Sequence, residues 1–299
     1  MKRPISPVSQ QLKLSLGDIV FSLISDSSLN LTVSQAHKVF FVSEGEPDII
    51  LEAEFGAVPP LELEEEVFRT EEVWRLYWSR GKWLLYFRDF RADEHESTPY
   101  KVAILEPDFS YGKIHSRIKE SEEENYFNPL NYPLDELLVV NLLSRGKGIL
   151  VHACAVVYQG QGWLFLGTSG AGKSTLTELW KGEPGVTLLS DDRIIIRDMG
   201  DSYRIYGTPW HGNAEIASPL SAPLNRIFFL AHDHENRLTP VQRVDAASRL
   251  LVRSFPTFWD AEGMQYTLGL CERLSARVPC HELGFIPDKH VIGILRNLA

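Results

Sequence analysis

The apolar and polar positions of this chain follow two different patterns, which predict two kinds of structure. From about residue 10 to residue 115, short apolar runs alternate with polar clusters and with Gly and Pro residues, as they do in successive β-strands. From residue 149 onward, apolar runs of strand length alternate with segments of helical periodicity, which is typical of an α/β domain. The pattern predicts an α/β protein with a β-rich N-terminal region at residues 1–145 and an α/β domain at residues 146–299.

Several elements follow from local signals. The aromatic-rich runs on either side of the turn at residues 79–82 predict a hairpin over residues 74–90, with Gly81 at a positive φ. Residues 117–133 are charged and then contain Asn and Pro, which predicts a linker. Three helices are predicted from apolar spacing and end signals, at Asp135–Leu143, Asp245–Val252 and Asp260–Arg277.

The composition excludes several classes of function. Hydrophobic residues make up 44% of the chain and charged residues 23%, as in folded globular proteins rather than disordered ones. The formal net charge of −10 leaves no overall positive field, so neither nucleic acid nor an anionic membrane is an expected partner. Two acidic clusters, Glu62–Glu66 and Glu120–Glu124, are interpreted as solvated surface.

The chain shows no pattern typical of a signal peptide or of a membrane span. Gln10, Gln11 and Lys13 interrupt any apolar stretch of the kind that a signal peptide requires. The apolar run Leu137–Leu143 contains Asn141 and is too short to span a bilayer. The 3 cysteines form no Cys-x-x-Cys pair, which suits a reducing compartment. We therefore expect a cytoplasmic protein without a membrane partner, and the oligomeric state stays open.

The strongest chemical signal is a glycine-rich loop at residues 167–174. The apolar run Trp163–Leu166 leads into Gly-Thr-Ser-Gly-Ala-Gly-Lys-Ser, which matches a loop that wraps nucleotide phosphates with main-chain N–H groups. A helix predicted at Ser174–Trp180 would point its positive end at the phosphates. Lys173 would bridge the terminal phosphates, and the Ser174 hydroxyl would bind Mg²⁺. The predicted nucleotide-binding residues are Gly167, Thr168, Ser169, Gly170, Ala171, Gly172, Lys173, Ser174 and Thr175.

Two neighbouring carboxylates follow the next predicted strand. Val186–Leu189 leads towards Asp191 and Asp192, at the strand end where open α/β sheets bind their ligands. Adjacent residues of a strand point in opposite directions, so one Asp is expected to hold Mg²⁺ and the other to accept a proton from an attacking hydroxyl. The alternative is an Asx turn that closes the strand. His152, on the predicted strand Ile149–Val157, is either an ordinary core residue or a second proton carrier near the phosphates.

Together, His152, the loop Gly167–Ser174 and the run Ser-Asp-Asp-Arg at residues 190–193 resemble the catalytic domain of the HPr kinase/phosphorylase family. That family shares its nucleotide-binding fold with phosphoenolpyruvate carboxykinase. The resemblance extends over about residues 146–299 and implies a phosphate-loop domain of this type, with ATP and Mg²⁺ as cofactors. It also implies phosphoryl transfer to a serine hydroxyl.

The same resemblance implies roles for single residues. Asp191 would be the catalytic base, with Lys173 and His152 at the same catalytic site. Ser174 and Asp192 would bind the metal, and the roles of the two aspartates are open to exchange.

Other features depart from that family. Thr175 follows Ser174 where the family usually has Glu, and the chain has no counterpart of the family's second Gly-rich loop. The segment Gly207–Gly212 is instead similar to kinase-related proteins that occur with peptide-modification clusters. It predicts either a loop near the nucleotide or acceptor, or a turn shaped by Pro209.

These observations predict an ATP- and Mg²⁺-dependent kinase whose acceptor is a serine of a peptide or protein. A kinase for a small-molecule hydroxyl is an alternative, and so is a nucleotide-sensing module without catalysis. The sequence also leaves GTP or pyrophosphate open as the donor.

Overall fold

The computed structural model describes residues 9–71, 73–88, 99–117 and 125–298. The chain divides into two compact units, residues 1–138 and residues 139–299, and the division falls within a helix. Each unit is a separate body of strands with its own hydrogen-bonded sheet. The prediction of a mixed α/β protein is confirmed.

The N-terminal unit is built almost entirely from strands, with one 3-10 helix at Gln35–Phe40. Its strands are β1 (Gln10–Leu16), β2 (Ile19–Ser25), β3 (Asn30–Leu31), β4 (Ile49–Phe55), β5 (Glu65–Arg69), β6 (Trp74–Ser79), β7 (Lys82–Phe87), β8 (Lys101–Leu105), β9 (Tyr111–Ser116) and β10 (Tyr126–Phe127). In the described residues, eight of them form one sheet in the order β1-β2-β4-β9-β8-β7-β6-β5. Only the β2–β4 and β4–β9 pairs of that sheet are parallel.

The predicted hairpin is confirmed over residues 74–87 as β6 and β7, which pair antiparallel from Trp74 opposite Phe87 to Ser79 opposite Lys82. Its last two predicted residues, 89 and 90, lie outside the described residues. Its turn places Arg80 at φ 51° and Gly81 at φ 73°. Two positive φ values are what a two-residue hairpin turn requires, because they match the twist of the strands. The acidic residues Glu62–Glu66 are exposed where β5 forms the edge of the sheet, as expected.

The predicted linker is wrong for its described part, residues 125–133. The β10 strand in this segment pairs in parallel with β3, and Phe127 and Leu130 are buried. The buried Lys101 donates hydrogen bonds from Nζ to the main-chain oxygens of Pro129 at 3.2 Å and Asn131 at 3.3 Å. These apolar and polar contacts hold the segment in the core of the unit. The acidic cluster Glu120–Glu124 lies outside the described residues.

The C-terminal unit alternates strands and helices after the shared helix α1 (Leu134–Leu143). Its strands are β11 (Gly148–Tyr158), β12 (Gln161–Leu166), β13 (Val186–Ser190), β14 (Arg193–Asp198), β15 (Tyr203–Tyr206), β16 (Ser221–His232), β17 (Arg237–Pro240) and β18 (Cys280–Phe285). Its helices are α2 (Lys173–Trp180), α3 (Arg243–Leu251), α4 (Ala261–Arg277) and α5 (His290–Arg296). The predicted helices therefore lie within two residues of their expected bounds.

The sheet of this unit follows the order β12-β11-β14-β15-β16-β18-β17. The first strand in this order, β12, also pairs with β16. The long strand β11 pairs with β14 through residues 148–152, and with β12 and β13 through its second half. It therefore connects the strand before the glycine-rich loop to the strands on either side of the Asp pair.

Buried apolar side chains form two clusters in this unit. One includes Ala246 and Leu250 of α3 with Leu270 of α4, and the other includes Trp180 of α2 with Val291 of α5. Both clusters contain side chains of β11 and β12, because successive residues of a strand point to opposite faces of the sheet. Helices therefore cover both faces, as in α/β domains. In the part of the chain described, no helix has the length and apolar character needed to cross a membrane.

Candidate nucleotide and phosphoryl-transfer site

The glycine-rich loop connects β12 to α2 and depends on small residues at close approaches. Gly170 and Gly172 have φ values of 81° and 94°, which residues with a Cβ rarely adopt. A Cβ on Gly172 would lie 2.8 Å from Cζ of Phe285. A Cβ on Gly167 would lie 2.7 Å from Cβ of Ala171. The backbone conformation of the loop therefore favours glycine at positions 170 and 172. The neighbouring side chains of Ala171 and Phe285 leave no room for a Cβ at positions 167 and 172, respectively.

Helix α2 begins directly after the loop. Gly172 precedes its first residue in a left-handed conformation, and no side chain of the described residues caps this helix end. The first N–H groups of a helix have no partner within the helix, and the helix dipole makes this end positive. The loop therefore presents main-chain donors suited to an anion.

Lys173 is buried at the start of α2. Its Nζ donates hydrogen bonds to the main-chain oxygens of Gly167 at 2.8 Å and Thr168 at 3.1 Å. Burial lowers the pKa of Lys173 because it removes water from around the charged amine. A cation held on neutral carbonyl groups, with little water around it, gains from the approach of an anion.

An open pocket of about 330 Å³ lies against this loop. It brings together the predicted residues His152, Lys173, Asp191 and Asp192 from separate segments of the chain. The full lining is His152, Ser169, Gly170, Gly172, Lys173, Ser174, Thr175, Asp191, Asp192, Gly212 and Asn213. Of the predicted nucleotide-binding residues, Gly167, Thr168 and Ala171 do not line it.

Asp191 is almost completely buried and anchors another part of the pocket wall. Its Oδ1 accepts hydrogen bonds from the main-chain N–H groups of Gly212 at 3.0 Å and Ile216 at 3.3 Å. Its Oδ2 accepts one from the N–H of Ala214 at 2.8 Å. Three donors fix the orientation of this carboxylate, and the carboxylate in turn fixes the path of residues 212–216.

Asp192 is in a different environment, although it is the next residue. His152 Nδ1 lies 3.2 Å from its Oδ1, and the Arg193 guanidinium contacts its Oδ2. Burial raises the pKa of Asp192, but the hydrogen bond from His152 and the positive charges around the carboxyl outweigh that effect and lower it. Asp192 is therefore held as a carboxylate, with His152 as its neighbour.

Two consecutive residues of the pocket lining, Gly212 and Asn213, come from the segment that follows β15. Of the two interpretations of the segment Gly207–Gly212, a loop near a ligand or a turn shaped by Pro209, the position of Gly212 in the pocket lining favours the first. Asn213, which also lines the pocket, was missed, because a single exposed Asn after a Gly carries no distinctive signal. Hydrogen bonds on either side of Gly212 and Asn213 attach this part of the chain to β13 and β14. Thr208 Oγ1 donates to Arg193 O of β14, and Ser218 N donates to Leu189 O of β13.

Within the described ranges, no three His, Cys, Asp or Glu side chains are grouped to hold a metal ion. Ser174 and Asp192, the predicted Mg²⁺ ligands, both line the pocket. Mg²⁺ commonly binds proteins through one or two side chains, with phosphate oxygens and water completing its six ligands. The ionised Asp192 and the exposed hydroxyl of Ser174 fit that kind of site.

Comparisons with known proteins connect the C-terminal part of the chain with one family model. The model described as "SynChlorMet cassette protein ScmC" matches residues 134–277, slightly less than half of the chain. No curated protein matches the sequence.

Among solved structures, the Hpr(Ser) kinase/phosphatase from Coxiella burnetii is weakly similar. The alignment has 11% sequence identity and a TM-score of 0.28, and covers 50% of this chain and 95% of that one. A likeness this weak is not evidence of a shared activity.

Proposed function

We propose that this protein is an ATP- and Mg²⁺-dependent kinase that transfers the γ-phosphoryl group to a hydroxyl of a peptide or protein serine. One observation carries the proposal. A glycine-rich loop with a buried lysine lies in the same pocket as two carboxylates and a histidine. The loop offers donors for phosphates, and the carboxylates offer a metal ligand and a proton acceptor.

The loop and Lys173 would bind the nucleotide phosphates. The N–H groups at the start of α2 would donate to phosphate oxygens, and Lys173 Nζ would exchange its carbonyl partners for the terminal phosphates. Ser174 and Asp192 would hold Mg²⁺, which would neutralise charge on the phosphate oxygens when bound. The lowered pKa of Asp192 supports this assignment, because such a carboxylate is a weak base and stays ionised to bind a metal.

Asp191 would then be the proton acceptor. In the transfer, the serine oxygen forms a bond to the γ-phosphorus while the bond from that phosphorus to the oxygen of ADP breaks. The serine proton goes to the carboxylate. The three N–H groups that orient Asp191 also tie it to residues 212–216, of which Gly212 and Asn213 line the pocket, and this would place acceptor and base together. His152 would orient Asp192 through its Nδ1.

The test uses the purified protein, Mg²⁺ and ATP labelled at the γ-phosphate, together with an extract of the cells that encode it. Protein and small-molecule fractions are separated after incubation. Label is counted as the excess over that of the extract alone. We expect such label on a serine in the protein fraction, and none with Lys173→Met. Label found only in the small-molecule fraction would replace the acceptor class with a metabolite. ATP binding without label in either fraction would leave a nucleotide-sensing module and overturn the kinase.

A further inference from the structure

Arg253 lies beside the pocket, although no motif in the sequence singles it out. Its main-chain oxygen accepts a hydrogen bond from the N–H of His152 at 2.7 Å. The next two residues continue along β11, since Ser254 forms a bridge with Val151 and the N–H of Phe255 bonds to Leu150 O at 3.0 Å. Arg253 is therefore fixed next to His152, one of the residues that line the pocket.

The guanidinium of Arg253 is poorly satisfied. Nη1 donates to Arg249 O at 3.1 Å, whereas Nε is buried and has no hydrogen-bond partner in the described structure. Across the described ranges, no carboxylate forms a salt bridge with this side chain. By contrast, Arg249 pairs with both Asp245 and Glu282.

The side chain of Arg253 lies on the same face of β11 as that of His152, because the antiparallel bridge of Ser254 with Val151 places Arg253 directly opposite His152. Burial and the charge of Arg249 lower the pKa of Arg253. A half-buried cation without a counter-ion costs stability unless an anion binds. A planar group with five N–H donors is well suited to phosphate oxygens.

We propose that Arg253 is a phosphate-binding residue of the nucleotide site, and that its guanidinium donates to the terminal phosphate of a bound nucleoside triphosphate. The inference rests on the proposed nucleotide site, but it does not depend on the acceptor. It adds a contribution from the segment after α3 to a site otherwise formed by the glycine-rich loop and the Asp pair. The positive charge of Arg253 would add to that of Lys173 in attracting the phosphates.

The test compares Arg253→Met and Arg253→Lys with the wild type, by calorimetric titration of ATP, ADP and AMP in the presence of Mg²⁺. We expect Arg253→Met to weaken ATP binding by about tenfold or more, the effect of one charge-assisted contact. AMP binding should be unchanged, and Arg253→Lys should restore part of the loss. Arg277→Met is the matched control, because Arg277 also donates Nη1 to a main-chain oxygen, that of Gly200.

The outcomes separate this inference from the proposed function. Unchanged ATP affinity in Arg253→Met would overturn the inference and leave the kinase proposal standing. An equal loss for ATP and AMP, with a lower melting temperature, would show a structural role and also overturn it. A wild-type protein that binds no nucleotide would overturn both. ATP binding that depends on Arg253, without phosphoryl transfer to any acceptor, would overturn the proposed kinase activity and leave the inference about Arg253 standing.

Discussion

His152 Nδ1 lies 3.2 Å from the carboxylate Oδ1 of Asp192 and 3.1 Å from the main-chain oxygen of the same residue. One ring nitrogen therefore faces two of the three acceptor oxygens of Asp192. If Nδ1 carries the proton, Nε2 is left as the acceptor of the neutral imidazole. This pairing fixes the Asp192 carboxylate from one side while Arg193 holds it from the other.

The pairing predicts a pH dependence of stability. The folded protein holds the pKa of Asp192 below its ordinary value. The resulting stabilisation is fully present above the unfolded-state pKa of about 3.9, and it is lost as the pH falls from there through the lower folded-state pKa. Asp192→Asn removes this contribution. The free energy of unfolding of the wild type should therefore fall more than that of the variant as the pH falls towards 3. The comparison is made over the pH range in which both proteins are still folded without urea.

Urea unfolding of both proteins at pH 6 and at successive values below pH 4.5 measures this difference. Asp201→Asn is the control, since Asp201 is exposed in the turn between β14 and β15 and should behave as the wild type does. Parallel pH profiles for Asp192→Asn and the wild type would contradict the prediction.

Lys173→Met should abolish detectable ATP binding or weaken it strongly, and should reduce phosphoryl transfer by at least about 100-fold, as loss of one preorganised donor does. The reason is that Nζ is the buried cation of the glycine-rich loop. Lys181→Met, at the other end of α2, removes an exposed lysine that pairs with Glu178 and should leave ATP affinity unchanged. Equal affinities in the two variants would remove Lys173 from the site.

Asp191→Asn should spare ATP binding while it reduces phosphoryl transfer by about 10²-fold or more, because the proton acceptor is lost. An amide has only one oxygen, so at least one of the N–H groups of residues 212, 214 and 216 loses its acceptor. We expect this to lower stability by about 1–3 kcal/mol. Calorimetric ATP titration, transfer assays and thermal unfolding are measured on the same preparation. Transfer at the wild-type rate would refute the assignment of the base.

Gly212→Ala should displace the pocket wall. The new Cβ would lie 2.8 Å from Oδ2 of Asp191, a carboxylate held in place by its N–H donors. We expect a loss of about 1–3 kcal/mol, measured as a lower melting temperature. Gly293→Ala is the opposite case, since no atom lies within 4 Å of its Cβ position in α5, and it should stabilise by about 0.5–1 kcal/mol. The same melting temperature for both variants would contradict this interpretation.

Features that depend on neighbours in sequence could be predicted. The hairpin at Arg80 and Gly81 needs only two residues that tolerate positive φ. The glycine-rich loop can be recognised from its own sequence together with the apolar strand before it and the helix after it. Features that depend on the path of segments distant in sequence could not be predicted. The N–H partners of Asp191 come from residues 212–216, and the linker error arose because the burial of Phe127 depends on contacts that the local composition does not reveal.

Phe285, whose ring lies where a side chain on Gly172 would have to be, stands beyond the last residue matched by the family model. A protein fragment cut at residue 277 would therefore retain the whole loop and the Asp pair, yet lose β18 and the aromatic support under the loop. Expression boundaries for biochemical work on this unit should extend past α5, so that the loop keeps the surface on which it rests.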